Sequence, residues 1–431
     1  MILFEGKTYD SSEQSRLLEE LKEKIPVILS GKALSPDVVI DAVECLRNDL
    51  IDGKFDDLLT SMPKEMVDTY KKQAATLLSR EHLEMKIRTE LGNTEEYVTD
   101  KVEGFSKIRV KKMPLGVLFH ISAGNMDFLP AYSLAEGLMT GNINILKLPS
   151  ADEGLSLKLI MKLIEYRPEL KDFIYVFDTP STDIQGMRQM AELSHAISVW
   201  GSDMAIEAVR GLAPTGAKII EWGQKLGFCY ISGLDEVTDP DKQLEDLAGH
   251  IASTKQLLCS SCQVIYIDTE DMEEIKAFAA RFLPVLEAAA NRNASTEIGI
   301  RARDTLVSYT QRLKAYLGES EASDNVLRGR GVSVITSEDS ELELSPMMCN
   351  VLVKRLPEKA ICKVLYAHKY HLQTAGLICP EEDREKFAGI FTKCGIVRVT
   401  TSENMSAYFP GECHDGEYAL NRYTRTVNIE E

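Results

Sequence analysis

The chain has 431 residues, of which 44% are hydrophobic and 27% charged, and its formal net charge is −18 at pH 7. This composition is that of a globular protein long enough for two or three domains. The acidic excess argues against nucleic acid or an anionic membrane as a partner. There is no run of about 18 apolar residues, and the opening stretch MILFEGKTYDSSEQ has no basic segment followed by an apolar one. We therefore predict a cytoplasmic protein with neither a membrane span nor a secretory signal.

Residues 1 to about 100 predict helices, because apolar residues recur at three- and four-residue steps in segments such as SSEQSRLLEELKEKI. From Met113 onward, short apolar strands alternate with helices, which is typical of a doubly wound, mostly parallel sheet. The predicted strands are PLGVLFHIS, NINILKL, FIYVFD, HAISVW and AKIIEW. The helix after NINILKL is predicted to begin at Ser150, with Glu153 three residues later completing a capping box.

A second series of helices and strands follows, and the junction between the two series is predicted between residues 227 and 233. Its predicted elements are the helix DKQLEDLAGHIASTKQLL, the strand QVIYID, a long helix over residues 272–290, and the strands VSVITS, NVLVKRL, AGLICP and IVRVT. These patterns predict an α/β protein with two sheets, divided into segments 1–228, 229–400 and 401–431.

The segment STKQLLCSSCQVIYID contains a CxxC pair, Cys259 and Cys262, with three interpretations. A structural zinc needs about four ligands, and the chain has no second CxxC pair and no HxxxH pair. A redox dithiol is expected at the N-terminus of a helix, whereas here a helix precedes the pair and a strand follows it. A single nucleophile, Cys259, in a polar turn fits this order best. The zinc and dithiol interpretations stay open at this point.

Several segments, in a consistent order, resemble the aldehyde dehydrogenase superfamily. PLGVLFHISAGN resembles its first cofactor-domain strand with the asparagine loop, and GNINILKLPSADEGLS resembles the strand that carries the nucleotide-binding lysine. AISVWGS and IIEWGQK are similar to its FTGS and ELGGK segments. Within the superfamily, KQLLCSSCQV and the late HDG resemble the long-chain acyl-CoA reductases of bacterial bioluminescence, the LuxC type. The likeness also accounts for the missing GxGxxG turn.

The resemblance implies an aldehyde-dehydrogenase-like fold. Residues 1–228 would form a helical region and an NAD(P)-binding domain, residues 229–400 a catalytic α/β domain, and residues 401–431 a segment that packs back or takes part in oligomer contacts. It also implies reduction of an acyl thioester, bound to CoA or to a protein, to an aldehyde. Cys259 attacks the thioester carbonyl and expels CoA or another thiol, and NADPH or NADH supplies the hydride.

The resemblance also assigns roles to single residues. Asn125 and the backbone N–H of Cys259 stabilise the oxyanion, and Glu221, at the superfamily's general-base position, transfers a proton at Cys259 or at the leaving thiol. Lys147 reaches the adenosine ribose or a 2′-phosphate, and the turn after the fourth strand offers N–H groups and a hydroxyl to the pyrophosphate. The assigned cofactor residues are Ser122, Ala123, Lys147, Ser150, Gly201 and Ser202, with no metal ligand. Cys262 stands where the family has proline.

Some alternatives remain open from the sequence. The acyl donor is CoA, a carrier protein or an acyl-protein synthetase partner, and the chain is expected to form a homo-oligomer. A competing enzyme hypothesis is aldehyde oxidation with Glu221 activating water, and a hypothesis from another class is a noncatalytic nucleotide- or zinc-binding protein using the CxxC pair. His414, in the HDG segment, is a candidate partner of the active site or a structural loop cap.

Overall fold

A computed structural model divides the chain into two compact units. Residues 1–223 and 409–431 form the first unit, and residues 224–408 form the second. The structure describes residues 1–57, 64–97, 106–123, 128–150, 154–293, 325–409 and 411–430, with a few isolated residues outside these ranges. The predicted segment boundary after residue 228 falls inside the strand Leu226–Ile231. That whole strand belongs to the second sheet, so the division lies before it, at Gly223.

The first unit contains a doubly wound sheet, as predicted, and in the described residues this sheet has seven strands rather than the five that were predicted. Its strands are β1 (Ile2–Phe4), β2 (Lys7–Tyr9), β5 (Val117–Ile121), β6 (Ile143–Lys147), β7 (Ile174–Phe177), β8 (Ala196–Trp200) and β9 (Lys218–Trp222). They lie in the order β2-β1-β7-β6-β5-β8-β9, and β5 to β9 are all parallel. The chain winds outward from β5 through β6 and β7, then returns to β8 on the other side of β5. Ligands bind such sheets at the carboxyl ends of the strands beside this reversal.

Helices cover both faces of this sheet because its central strands are apolar on both sides. They are α1 (Gln14–Ser30), α2 (Pro36–Ile51), α3 (Lys64–Leu77), α4 (Arg80–Leu91), α5 (Leu129–Met139), α6 (Leu155–Tyr166), α7 (Ile184–Leu193) and α8 (Asp203–Leu212). Helix α6 begins at Leu155 with Gly154, at φ +91°, as its N-cap. The predicted cap at Ser150 is therefore wrong, since Ser150 lies outside the helix, and Glu153 lies outside the described residues.

The last described residues return to the first unit. Strand β17 (Thr424–Glu430) pairs antiparallel with β4 (Ile108–Pro114), which also pairs with β3 (Glu95–Tyr97). The ring of Tyr423 is completely buried. Its hydroxyl lies 3.1 Å from Ser198 Oγ. Its carbonyl accepts a hydrogen bond from the Asn142 side chain at 3.0 Å. These contacts fix the returning segment against β8 and the residue that precedes β6.

A buried group of charges connects α4 with α5 and the returning segment. The Lys86 ammonium contacts Glu90 and lies 3.0 Å from a carboxylate oxygen of Glu136. The other oxygen of Glu90 accepts the backbone N–H of Leu420 at 2.8 Å. All three charged side chains are buried, so each depends on the others for the interactions that it lost with water.

The second unit contains another sheet of seven strands, in the order β12-β13-β14-β11-β10-β15-β16. These strands are β10 (Leu226–Ile231), β11 (Cys262–Ile267), β12 (Val326–Gly329), β13 (Val332–Ser337), β14 (Asn350–Arg355), β15 (Leu372–Ile378) and β16 (Arg398–Thr400). All are parallel except β12. In the described part of this unit the helices are α9 (Pro240–Thr254), α10 (Met272–Arg292) and two shorter ones, Ile361–Ala367 and Arg384–Cys394. Within the described residues, no helix has both the length and the apolar character needed to cross a membrane.

The substitution Lys86→Met tests the buried charges. Removing the ammonium leaves two buried carboxylates uncompensated, so we expect the free energy of unfolding to fall by about 3–5 kcal/mol, measured by urea denaturation. Lys22→Met is the matched control, since Lys22 is 61% exposed and 3.9 Å from its partner Glu19, and it should change stability by less than about 0.5 kcal/mol. Equal effects of the two substitutions would contradict the structural role of Lys86.

Candidate active site

Cys259 lies in a tight turn between α9 and β11. The chain leaves the helix through Lys255 and Gln256, both in the left-handed region with φ of +48° and +62°. The N–H of Ser261 then donates to the Leu258 carbonyl at 3.0 Å, and the Ser261 hydroxyl accepts the Leu258 N–H at 3.1 Å. This turn leaves the Cys259 side chain exposed, so a large acyl donor can reach its sulfur.

Gly227, at the start of β10, makes room for this turn. A Cβ at this position would lie 2.7 Å from the Ser261 carbonyl oxygen and 2.8 Å from that of Ser260, closer than such atoms can approach. The register of β10 against β11 also shifts at Gly227. In the sequence Gly227 is predicted only to lie at a domain junction, although a glycine within a strand pattern is a known sign of close backbone approach.

Gln373, near the start of β15, is the polar side chain found at the Cys259 sulfur. Its Nε2 donates to Cys259 Sγ at 3.5 Å, so its amide group lies directly against the sulfur of the candidate nucleophile. Cys259 precedes β11 and Gln373 is the second residue of β15, so both lie at the amino ends of parallel strands. No local sequence pattern indicates this residue, because the contact joins positions 114 apart in the chain.

Cys262 differs from Cys259 in its burial and in its hydrogen bonds. Its thiol is completely buried and donates to the Val264 carbonyl at 3.4 Å, while its N–H donates to His250 Nε2 at 3.3 Å. Burial raises the pKa of Cys262 to about 12, so this thiol stays protonated near neutral pH. In the part of the chain that the structure describes, no cluster of three or more His, Cys, Asp or Glu residues could hold a metal. The zinc and dithiol interpretations thus find no support here.

Glu221 and those predicted cofactor residues that the structure describes lie along the carboxyl edge of the first sheet. Ile121 pairs with both Lys147 and Val199, and Val199 pairs with Glu221. Ser122 and Ala123 follow β5, Ser150 follows β6, and Gly201 and Ser202 follow β8. The sheet therefore brings most of the predicted set to one edge, beside the reversal of strand order. Asn125 lies outside the described residues, and its role stays a prediction.

Lys147 and Ser122 are buried polar residues whose side chains have no hydrogen-bond or ion-pair partner among the described residues. The Lys147 side chain has no hydrogen-bond or ion-pair partner among them, although the residue is only 6% exposed, and burial lowers the pKa of its ammonium. Ser122 Oγ is buried and likewise lacks a partner in the described residues. Buried polar groups are normally satisfied, so this pair fits an anionic, hydroxyl-rich ligand such as a nicotinamide dinucleotide.

The turn after β8 differs in detail from its expected role. The N–H of Gly201 donates to the Trp222 carbonyl at 3.2 Å. This N–H therefore already has a hydrogen-bond acceptor within the protein. The Ser202 side chain makes no capping hydrogen bond to α8 and is exposed, as is Ser150. The Ser202 hydroxyl and the start of α8 are therefore the groups at this turn that a phosphate could contact.

Glu221 is bound on both of its carboxylate oxygens. Arg210 Nε lies 2.6 Å from Oε1 and Nη2 lies 2.7 Å from Oε2. Arg422 donates to the main-chain carbonyl of Glu221 at 3.2 Å. Arg210 therefore holds the Glu221 carboxylate through two parallel hydrogen bonds, which fix its orientation and occupy one acceptor position on each oxygen.

His414 lies against two tryptophans at the same edge. Trp200 and Trp222 stack with their ring centroids 5.2 Å apart, and the His414 ring is 5.0 Å from one and 5.2 Å from the other. The backbone of His414 forms two hydrogen bonds with Glu417 across a tight turn, with Asp415 and Gly416 both at positive φ. These contacts support the structural one of the two roles predicted for His414, that of a loop cap.

The two sheets and the position of these residues define an aldehyde-dehydrogenase-like fold. A methylmalonate-semialdehyde dehydrogenase from Oceanimonas doudoroffii superposes with a TM-score of 0.74 at 12% identity, covering 100% of this chain and 97% of that one. The NADP-dependent glyceraldehyde-3-phosphate dehydrogenase from Bacillus halodurans C-125, solved with NADP, gives a TM-score of 0.69 at 15% identity, covering 100% and 98%. At these identities the likeness establishes the fold, and it confirms the predicted fold class.

Residues 34–426 match the family model described as acyl-CoA reductase (LuxC), and the chain belongs to this family. The long-chain acyl-protein thioester reductase of Vibrio harveyi is 25% identical over 362 residues, which are 83% of this chain and 72% of that protein. The long-chain acyl-protein thioester reductase 2 of Photobacterium leiognathi is 24% identical over 330 residues, 74% of this chain and 65% of that protein. The predicted family and class of reaction, reduction of an acyl thioester, are confirmed.

Alkylation of the native protein tests the separation of the two cysteines. At about pH 8, iodoacetamide should modify Cys259 rapidly, because its side chain is exposed, and should reach Cys262 only after denaturation. Tandem mass spectrometry of the peptide that contains both residues resolves the two sites. Cys229, buried in the neighbouring strand β10, serves as an internal control and should behave like Cys262. Equal native rates at Cys259 and Cys262 would contradict the structure of this turn.

Proposed function

We propose that the protein transfers an acyl group from a thioester donor to Cys259 and reduces it there to an aldehyde with NADPH or NADH. The exposed Cys259 sulfur, which accepts a hydrogen bond from Gln373, carries this proposal, because it is the described group in the CxxC segment with the character of a nucleophile. The acyl-protein thioester named for the relatives and acyl-CoA are both thioester donors, and an exposed thiolate can accept the acyl group from either.

Acyl transfer requires a thiolate, an oxyanion site and a proton acceptor. The Cys259 thiolate attacks the thioester carbonyl, a new carbon–sulfur bond forms, and the donor's carbon–sulfur bond breaks as the leaving thiol departs. We assign the oxyanion to Asn125 and the Cys259 backbone N–H, and proton transfer at the thiols to Glu221. The proton that Cys259 loses is taken up by the leaving thiolate, so Glu221 need only relay it between two sulfur atoms of similar proton affinity.

Lys147 and Ser122 are the residues that we assign most directly to the cofactor. The buried ammonium would bind the adenosine ribose or a 2′-phosphate, and the Ser122 hydroxyl would gain a partner that it lacks among the described residues. Ser202 and the start of α8 are assigned to the pyrophosphate, with Ala123, Ser150 and Gly201 shaping the same edge. Bound NAD(P)H supplies the hydride for the reduction.

The second enzyme hypothesis, aldehyde oxidation, needs Glu221 as a base toward water. The match of residues 34–426 to the acyl-CoA reductase (LuxC) family favours thioester reduction instead. The two hypotheses separate in one assay, thioester-dependent NAD(P)H consumption against aldehyde-dependent NAD(P)+ reduction. Running it with acyl-CoA and with an acylated protein donor identifies the leaving group.

The substitutions Cys259→Ala and Cys262→Ala provide the direct test of the nucleophile. We expect Cys259→Ala to abolish both the acyl adduct seen by intact-protein mass spectrometry and thioester-dependent NAD(P)H consumption. Cys262→Ala should retain most of both activities, because its thiol is buried and protonated. Full acylation of the Cys259→Ala protein would refute the proposed function, and equal losses in the two variants would make the cysteine pair the functional unit.

The substitution Lys147→Met tests the cofactor assignment. Loss of a charge-assisted hydrogen bond should raise the dissociation constant for NADPH about tenfold or more, measured by fluorescence titration of NADPH against the protein. Lys158→Met on the exposed face of α6 is the control and should leave the dissociation constant unchanged. A larger loss for NADPH than for NADH would place Lys147 at the 2′-phosphate, and unchanged affinity for both would contradict the assignment.

A further inference from the structure

Two cysteines on neighbouring helices of the second unit lie in direct contact. Cys362 is the second residue of the helix Ile361–Ala367, and Cys394 ends the helix Arg384–Cys394. The Cys394 thiol donates to Cys362 Sγ with the sulfur atoms 3.0 Å apart, and both residues are free thiols. The two helices pack against each other. Because bonded sulfur atoms lie about 2 Å apart, an approach of roughly 1 Å would join this pair.

The surroundings of the two thiols set the order in which they react. Cys362 is exposed, so a dissolved oxidant can reach its sulfur, whereas Cys394 is partly buried. Burial raises the pKa of the Cys394 thiol, and the hydrogen bond that it donates to Cys362 raises this pKa further. Once Cys362 is bonded to another sulfur it can no longer become a thiolate, and one cause of that shift is gone. Cys362 is therefore the first thiol to react, and Cys394 is placed to react second.

An open depression in the surface gives a small molecule access to Cys362. Its volume is about 480 Å³, within the range of ordinary small-molecule sites. It is lined by Glu270, Pro357, Glu358, Lys359, Cys362 and Ile390. Lys359 and Glu270 form an exposed ion pair there, so charges of both signs border the depression. A small charged disulfide such as oxidised glutathione, which carries carboxylates and ammonium groups, suits these surroundings.

A bond between the two sulfur atoms would close a loop around strand β15. The two cysteines are 32 positions apart, and the whole of β15 lies between them. The N–H of Val397, just after Cys394, donates to the carbonyl of Gln373 in β15 at 3.1 Å. A cross-link restrains the unfolded chain more than the folded one. Closing this loop should therefore stabilise the part of the second sheet that contains β15.

We propose that Cys362 and Cys394 form an oxidation site, where a small disulfide closes a reversible cross-link that stabilises the second unit. The Cys362 thiolate attacks one sulfur of the small disulfide, a sulfur–sulfur bond to Cys362 forms, and one thiolate leaves. The Cys394 thiolate then attacks Cys362 Sγ and expels the other thiolate. The two leaving thiolates take up the two protons that the protein thiols lose. Two protein thiols are thereby oxidised, and the small disulfide is reduced to two thiols.

Peptide mapping without reduction tests the cross-link. The full-length protein is incubated with oxidised glutathione and digested with trypsin, which releases residues 360–363 and 394–398. We expect these two peptides to be linked, and dithiothreitol to separate them. Cys394→Ser should instead accumulate glutathione on Cys362, because the second thiol is missing. Cys379→Ser is the matched control: Cys379 is a partly exposed cysteine directly after β15, and its loss should leave the link unchanged.

Calorimetry tests the stabilisation. Oxidation should raise the temperature at which the second unit unfolds by about 5 °C or more, and dithiothreitol should reverse the rise. Cys362→Ser treated in the same way should show no rise, which separates the cross-link from glutathione bound at other cysteines. Absence of linked peptides in the unaltered protein, or linked peptides without the rise, overturns the inference. The inference does not depend on acyl transfer to Cys259, so either result leaves the proposed function standing.

Discussion

The docking of Tyr423 holds together the edge of the first sheet on which the proposed chemistry depends. Its buried hydroxyl contacts Ser198, and its carbonyl accepts hydrogen bonds from Asn142 and from the N–H of Leu115. The neighbouring Arg422 is thereby placed with its guanidinium 4.6 Å from the centre of the Trp222 ring, and it binds the Glu221 carbonyl. The strand that carries the candidate proton acceptor is thus supported by residues from the distant returning segment.

The polar groups along this edge fall into two kinds. Glu221 and the N–H of Gly201 have partners within the unit, so their function depends on how those partners restrain them. Lys147 and Ser122 are buried without a partner in the described residues, and a ligand that bound their polar groups would offset the free-energy cost of burying them. A chain of net charge −18 can therefore bind an anionic cofactor, because one desolvated ammonium acts locally while the surface charges are screened by salt.

Much of the fold could be predicted because strands buried on both faces are almost continuously apolar, as IYVF shows. The hairpin at residues 2–9 and strand β17 escaped prediction, since three-residue strands and a partner more than 300 residues away leave no periodic signal. At the candidate site, local order around Cys259 and the family likeness pointed to the nucleophile. Gln373 and Arg210 did not stand out, because only the paired strands and the packed helix bring them to their partners.

The second unit is an insertion within the first, which has a consequence for synthesis in the cell. Domains generally fold in the order in which they leave the ribosome, at about 5–20 residues per second. The first unit, however, cannot close until residues 409–430 follow the whole of residues 224–408. The inserted unit can therefore fold while the first unit is still incomplete. For roughly 10–40 s, strand β9 of the first unit lacks its contacts with the returning segment. The nascent chain should need protection against aggregation during that interval. Truncated chains that lack the returning segment should remain prone to aggregation in the same way.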